Sequence, residues 1–409
     1  MDLKEKYARV ILESCLKLEK DQPLFISYDV ERTDFVRLIT KIAYEIGVTD
    51  IFYDAHDPYL KHEALKNLTV DELKNLSFWN KEMWNEYGKK NAAFLMLVSE
   101  TPGLMKDIDS KKLTTMTKYA YETRKEFDDL RAKSMISWCI AAVPTDAWAK
   151  ELFNCDNALD ILWDKIFDTC SIKEDNPVEV WNKKIKAFEI RAKKLSDYNF
   201  KTLVYESSNG TDFKVDLPKN HIWASGNEKL INGKEVLVNF PTEEIFTSPD
   251  CFSAEGIVYS SKPLLYQDNI IDNFYIKFKG GKVVDSHAEV GDEILNEMIN
   301  ICDNSTMLGE VSLVPYDSPI SNTNLVFMET LFDENAACHL ALGDSFTECV
   351  VNGPKMDKDT LFSEYHLNKC DSHVDFMIGT KDLNITGITS DGKKIPIFIN
   401  GNFSKEFDL

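Results

Sequence analysis

The sequence predicts an α/β amino-terminal half followed by a β-rich α+β carboxyl-terminal half, and three features carry that expectation. Wholly apolar runs such as Ala93-Phe94-Leu95-Met96-Leu97-Val98 alternate with helical stretches early in the chain, as strands buried on both faces do. Hairpin signals, Asn209-Gly210, Gly280-Gly281 and Asp391-Gly392, gather beyond Tyr198. The length, 409 residues, exceeds the size at which one hydrophobic core stops growing. Two domains are therefore expected, 1–196 as an α/β domain and 197–409 as a β-rich catalytic domain.

Each element has its own signal. Leu3, Tyr7, Val10, Ile11 and Leu18 recur at helical spacing, and Leu24-Phe25-Ile26-Ser27-Tyr28 reads as a strand. Phe35, Leu38, Ile39 and Ile42 mark the buried face of a second helix that Gly47 stops, and Ile51-Phe52-Tyr53 is the next strand. Ala93 to Val98 and Met135 to Ile140 repeat the apolar run, which makes the sheet parallel. Thr145 is an N-cap candidate, and the last helix of this half starts near Pro177 and runs to about Ser196. In the second half, Leu203 to Tyr205 and Phe213 to Leu217 form one hairpin, and Tyr275 to Phe278 with Val283-Val284 form another. Only Asp292 to Asn300 reads there as a helix.

Composition narrows the function. With 44% hydrophobic and 28% charged residues, and no apolar run of the length that spans a bilayer, the chain is expected to be water-soluble. The charged opening Asp2-Leu3-Lys4-Glu5-Lys6 is unlike a secretory signal, and nine cysteines without a C-x-x-C pair read as reduced cytoplasmic thiols. A formal charge of -21 repels nucleic acid, which is not expected as a partner, nor is a membrane. Dinucleotide and phosphate loops, G-x-S-x-G and H-E-x-x-H are all missing from the sequence.

The chemistry-bearing residues lie in the second half. On a strand, His373 and Asp375 of His373-Val374-Asp375 share a face while Val374 turns away. Taken alone, this motif is weak and is more often a buried histidine satisfied by a neighbouring acid. His339 and Glu334 sit among small apolar residues in Asp333-Glu334-Asn335-Ala336-Ala337-Cys338-His339-Leu340-Ala341-Leu342-Gly343, where an unpaired charge is expensive. Glu310 lies in Leu308-Gly309-Glu310-Val311 and Glu244 in Pro241-Thr242-Glu243-Glu244-Ile245-Phe246, each by itself readable as a surface carboxylate. Brought together, four carboxylates and two imidazoles form a mixed oxygen and nitrogen set suited to zinc, manganese or cobalt.

These four blocks, in this order, resemble the thermophilic-aminopeptidase family of metallo-exopeptidases, which includes aminopeptidases T and S; Val143-Pro144-Thr145-Asp146-Ala147-Trp148 extends the resemblance into the first half. The resemblance implies a metallo-aminopeptidase that hydrolyses the amino-terminal peptide bond with a two-metal-activated water. It implies metal ligation by Glu244, Glu310, Glu334, His339, His373 and Asp375, with Glu310 bridging two divalent ions (zinc, cobalt, manganese or magnesium). Glu310 or Glu243 is the implied proton carrier. The family's Pro-x-x-Glu spacing favours Glu244 over Glu243 as the ligand, since neighbouring strand residues face opposite ways. Peptide substrates, a homodimer and a cytoplasmic location complete the expectation. One position departs from the pattern: Phe346 stands where the family usually carries a tyrosine, and Tyr365 is a conceivable substitute. The alternatives are a two-metal hydrolase of another substrate class and a degenerate metal-binding protein without activity.

Overall fold

A computed structural model describes residues 2–74, 78–99, 101–267 and 269–408. The chain divides into two compact units, Met1–Ile185 with Asn227–Pro241, and Lys186–Gly226 with Thr242–Leu409. None of the described helices is long and apolar enough to cross a membrane.

The first unit is built on a five-stranded parallel sheet. Its strands are β1 (Leu24–Asp29), β2 (Ile51–His56), β3 (Ala93–Val98), β4 (Trp138–Ala142) and the short Asn239–Phe240, in the order Asn239–Phe240, β4, β3, β1, β2. The predicted opening helix is α-helical over Leu3–Arg9 and continues as a π-helix over Val10–Cys15, with Tyr7, Val10 and Ile11 buried. The helix Thr33–Ile46 buries Phe35, Ile39 and Ile42. Gly47 ends it at φ +105, a conformation that side chains rarely tolerate, and its N–H closes on Ala43 O and Tyr44 O. Thr145 caps the helix Asp146–Phe153 by accepting from the Trp148 N–H at 3.1 Å.

Two expectations shift here. The strand predicted to start at Met135 starts at Trp138. Met135 is exposed, Ser134 takes φ +53, and the Met135 N–H closes on Leu130 O, so a turn replaces the first strand residues. Burial on both faces describes β1, β3 and β4 better than β2, which forms the edge of the sheet and leaves Tyr53 exposed. Phe25, Trp84, Phe94 and Phe127 pack into an aromatic cluster against this sheet, with Phe94 and Phe127 centroids 4.5 Å apart.

The second unit contains two antiparallel sheets. The predicted hairpins all belong to a nine-stranded sheet: Phe200–Glu206 with Asp212–Asp216, Asn269–Lys279 with Lys282–Val290, and Asn384–Thr389 with Lys394–Ile399. The predicted helix is Asp292–Ile299. An unpredicted helix, Lys358–Tyr365, is short and buries only Leu361, so it carries no apolar stripe to read.

The second sheet positions the chemistry. Its strands are Ala224–Ser225, β5 (Ile245–Thr247), β6 (Leu308–Leu313), β7 (His339–Gly343) and β8 (His373–Met377), in that spatial order. All of β6 and β7 is buried.

Candidate metal centre

Register on β6, β7 and β8 explains why distant residues meet. Glu310 lies opposite Ala341, and Ala341 opposite Asp375, so two carboxylates flank a methyl group across three strands. Side chains two apart share a face, which adds Ser312, His339 and His373 to the same surface. The small Ala341 and Gly343 leave room above β7. A β-bulge at Gly309 re-aims β6, and a Cβ on Gly309 would fall 2.1 Å from Asp344 O, so the chains approach only because this residue is glycine.

On this face the donor atoms form two groups, Glu244 with Glu310 and His339, and Glu310 with His373 and Asp375; within each, atoms lie within 4.8 Å of one another. Glu310 belongs to both. Its Oε1 is 3.9 Å from His339 Nε2 and its Oε2 3.2 Å from His373 Nε2. Glu244 Oε2 is 3.4 Å from His339 Nε2 and accepts from Ser312 Oγ at 3.2 Å.

Glu334 and Glu243 stand differently. Glu334 falls in neither group, yet Glu244 and Asp375 act on it electrostatically, and Asn335 Nδ2 donates to its Oε1 at 3.4 Å. Glu243 is also outside both groups and buried; its backbone N–H donates to Asn335 Oδ1 at 2.8 Å. Asn335 thus ties the Glu243 backbone to the Glu334 side chain.

The electrostatics are those of a site with too much negative charge. Burial raises Glu310 to about 7 and holds Glu334 well above the usual carboxylate range, where Glu244 and Asp375 push it further. Burial alone would lower His339, but the Glu244 hydrogen bond and the charges of Glu310 and Asp375 outweigh it and raise the imidazole to about 10. His373 is raised in the same way by Asp375 and Glu310 against its burial. Burial would raise Asp375, yet the positive charge of His373 beside it holds it well below the usual range.

Three observations fit these residues to divalent cations. First, each histidine spends Nδ1 on a backbone carbonyl, Ala337 O for His339 at 3.2 Å and Asp344 O for His373 at 2.8 Å. That arrangement orients Nε2 toward the acids, as the outer contacts of metal-ligating histidines do. Second, Asp375 Oδ1 is buried without a hydrogen bond, although His373 Nε2 lies 3.2 Å away, because the geometry is wrong for one. Third, among the described residues the ion-pair partners of Glu244, Glu310 and Asp375 are these two histidines, with no lysine or arginine. Buried acids in such number require compensating positive charge.

Sequence reasoning missed Ser312, Asn335 and the Asp344 carbonyl, which orient Glu244, Glu334 and His373. Alternation could have found Ser312, two residues beyond Glu310. Asn335, in the 3-10 helix Glu334–Ala336, and Asp344, just past β7, act through local backbone geometry that no spacing encodes. Phe346 packs its ring 5.0 Å from His373 and 5.0 Å from Phe246. Tyr365 packs instead on a cluster of Val350, Leu361 and Leu367 that contains no candidate ligand.

Comparison with known proteins agrees with this arrangement. The family model for thermophilic metalloprotease (M29) matches residues 2–403. The chain is 37% identical to aminopeptidase AmpS of Bacillus subtilis (strain 168), covering 97% of each chain. It is 36% identical to aminopeptidase 2 of Geobacillus stearothermophilus, covering 98% of each. Wild-type AmpT from Thermus thermophilus superposes with a TM-score of 0.90 at 29% identity, covering 98% of each chain. With a match over nearly its whole length, the chain belongs to the M29 family of thermophilic metalloproteases.

Proposed function

We propose that this protein is a metal-dependent aminopeptidase that removes the amino-terminal residue of peptides, using two divalent cations held by Glu244, Glu310, Glu334, His339, His373 and Asp375. The observation that carries the two-ion reading is that two donor groups share Glu310, one carboxylate oxygen toward each histidine. The names of the relatives support the substrate class. The catalytic part is the β-rich one expected over 197–409 and the α/β part the one expected over 1–196, except that Lys186 to Ser196 join the former and Asn227–Pro241 the latter; the working ion is zinc, cobalt, manganese or magnesium. The protein acts in the cytoplasm as a homodimer.

Bound cations supply an acidified water near neutral pH and a Lewis acid for the scissile carbonyl. The residues of the chain do the rest. Ala337 O and Asp344 O fix the tautomers that present both Nε2 lone pairs. Ser312 holds Glu244 from one side. Glu310, with one oxygen toward each histidine, would be the ligand shared between the two ions, and the base role would fall to Glu243. Glu243, next in sequence to Glu244 and anchored through its backbone N–H by Asn335 Oδ1, would take the proton of the attacking water and pass it to the leaving amine.

The test is hydrolysis of aminoacyl amides and short peptides by metal-stripped protein resupplied in turn with zinc, cobalt, manganese and magnesium. Metal-dependent cleavage that disappears when the substrate amine is blocked is expected. Tight metal binding with no cleavage of any free-amine substrate overturns the reading.

A further inference from the structure

The nine cysteines fall into distinct settings. Cys155 is exposed. Cys15 lies beside Cys139 and Cys170 and is fully buried, out of reach of a reagent in solution, and burial lifts its thiol well above the ordinary range. Cys302 and Cys370 differ from both: their Sγ atoms are 3.2 Å apart although the residues are 68 positions apart in sequence. Cys302 follows the helix Asp292–Ile299 and is half-buried, while Cys370 is 8% exposed. One partner is open to an oxidant and the other waits behind it.

We propose that Cys302 and Cys370 are a reversible thiol–disulfide pair, oxidised by low-molecular-weight disulfides. In the first step the Cys302 thiolate attacks one sulfur of the reagent, breaking its S–S bond and releasing one thiolate. In the second, Cys370 loses its proton to solvent and attacks Cys302 Sγ, forming the internal disulfide and releasing the second thiolate. Two protein thiols are oxidised and one external disulfide is reduced to two thiols. Burial pushes the Cys370 thiol up to about 12, so the second step is the slow one.

The bridge would join two segments of the same unit, one of which leads into the site. Cys370 lies three residues ahead of His373, and its N–H donates to Asp344 Oδ1 at 3.1 Å. Asp344 O in turn accepts from His373 Nδ1. Oxidation thus clamps the turn after Asp292–Ile299 to the lead-in of β8. The inference stands apart from the catalytic reading, since its readouts are peptide mass and melting temperature.

The experiment is incubation of the native protein with oxidised glutathione, alkylation of the remaining thiols, digestion and peptide mass measurement. The expected product is a Cys302–Cys370 linked peptide that dithiothreitol reverses, formed under conditions that leave a mixed disulfide on Cys155. Cys370→Ser should trap glutathione on Cys302, and Cys302→Ser should leave Cys370 unmodified. Closing so long a loop should raise the melting temperature on the order of 5 °C. Full modification of Cys155 with Cys302 and Cys370 both recovered as free thiols overturns the proposal. So does a stable glutathione adduct on Cys302 of the unsubstituted protein.

Discussion

The parallel sheet of the first unit and the five-stranded sheet of the second bury their central strands to a similar degree with opposite contents. β3 carries Ala93 to Val98, all apolar, and its Phe94 stacks with Phe25 at 5.0 Å in an aromatic cluster. β6, of the same length and wholly buried, carries Glu310 and Ser312 and faces a strand that starts at His339. Burying Phe94 stabilises the fold through area removed from water. Burying Glu310 costs free energy unless positive charge reaches it. The first sheet is thus built for stability, and the second sacrifices stability for chemistry, which means substitutions in the two should separate folding from turnover.

The largest effect expected is in Glu310→Gln. The amide keeps the shape but loses the shared negative charge, so hydrolysis should fall at least ten-thousandfold, about 5.5 kcal/mol of transition-state stabilisation. The metal-free protein should melt at the same temperature or higher, since the change removes the burial cost of the Glu310 carboxylate and its repulsion by Asp375 and Glu244, against the lost attraction of His373 and His339. A large drop in metal-free melting temperature would break the contrast by making Glu310 a structural residue.

Phe94→Ala tests the other side. Removing a ring that packs between Phe25, Trp84 and Phe127 should cost about 4 kcal/mol in denaturant unfolding. The rate per folded, metal-loaded molecule should not change. A matching fall in kcat would show that the first unit takes part in the chemistry.

The same contrast explains what the sequence revealed. β3 was legible because an uninterrupted apolar run of six has few other uses. The start of β4 was not, because Met135 and Ile136 look like strand residues but follow a turn fixed by Ser134 at φ +53. In the site, His373 and Asp375 sharing a strand face followed from alternation alone. Preferring Glu244 to Glu243 needed the family pattern, because both are buried acids and β5 starts only at Ile245. Register between strands is not written in any one of them. The alignment of Glu310, Ala341 and Asp375 across β6, β7 and β8 therefore emerges only in three dimensions.

A third prediction asks whether every buried ionisable group of the second unit belongs to the site. His221 is buried, spends Nδ1 on Pro218 O at 3.1 Å and leaves Nε2 without a partner; burial lowers it to about 4. Its folded pKa lies below the unfolded value, so its contribution is complete above about pH 6.5 and is lost as pH falls toward 4. The loss should reach about 3 kcal/mol in urea unfolding of the metal-free protein. In His221→Asn, which cannot titrate, that part of the pH slope should vanish; an unchanged slope would assign it to other groups.

The smallest effect is expected at Phe346, whose ring lies 5.0 Å from His373. The resemblance implies a tyrosine at this position, and where such a residue is a donor in a preorganised site its removal typically costs a hundredfold or more in kcat. Restoring the hydroxyl with Phe346→Tyr should return only part of that. The surroundings, Phe246 at 5.0 Å among them, are packed around a phenyl ring and do not orient an O–H. A rise in kcat of about tenfold, close to 1.4 kcal/mol, at unchanged KM is expected. Because the added oxygen lies beside a charged cluster and not within an apolar core such as that around Phe94, melting temperature should barely move. No gain in kcat from a folded, metal-loaded Phe346→Tyr would mean that another group of this chain already supplies the donor or that the reaction here needs none.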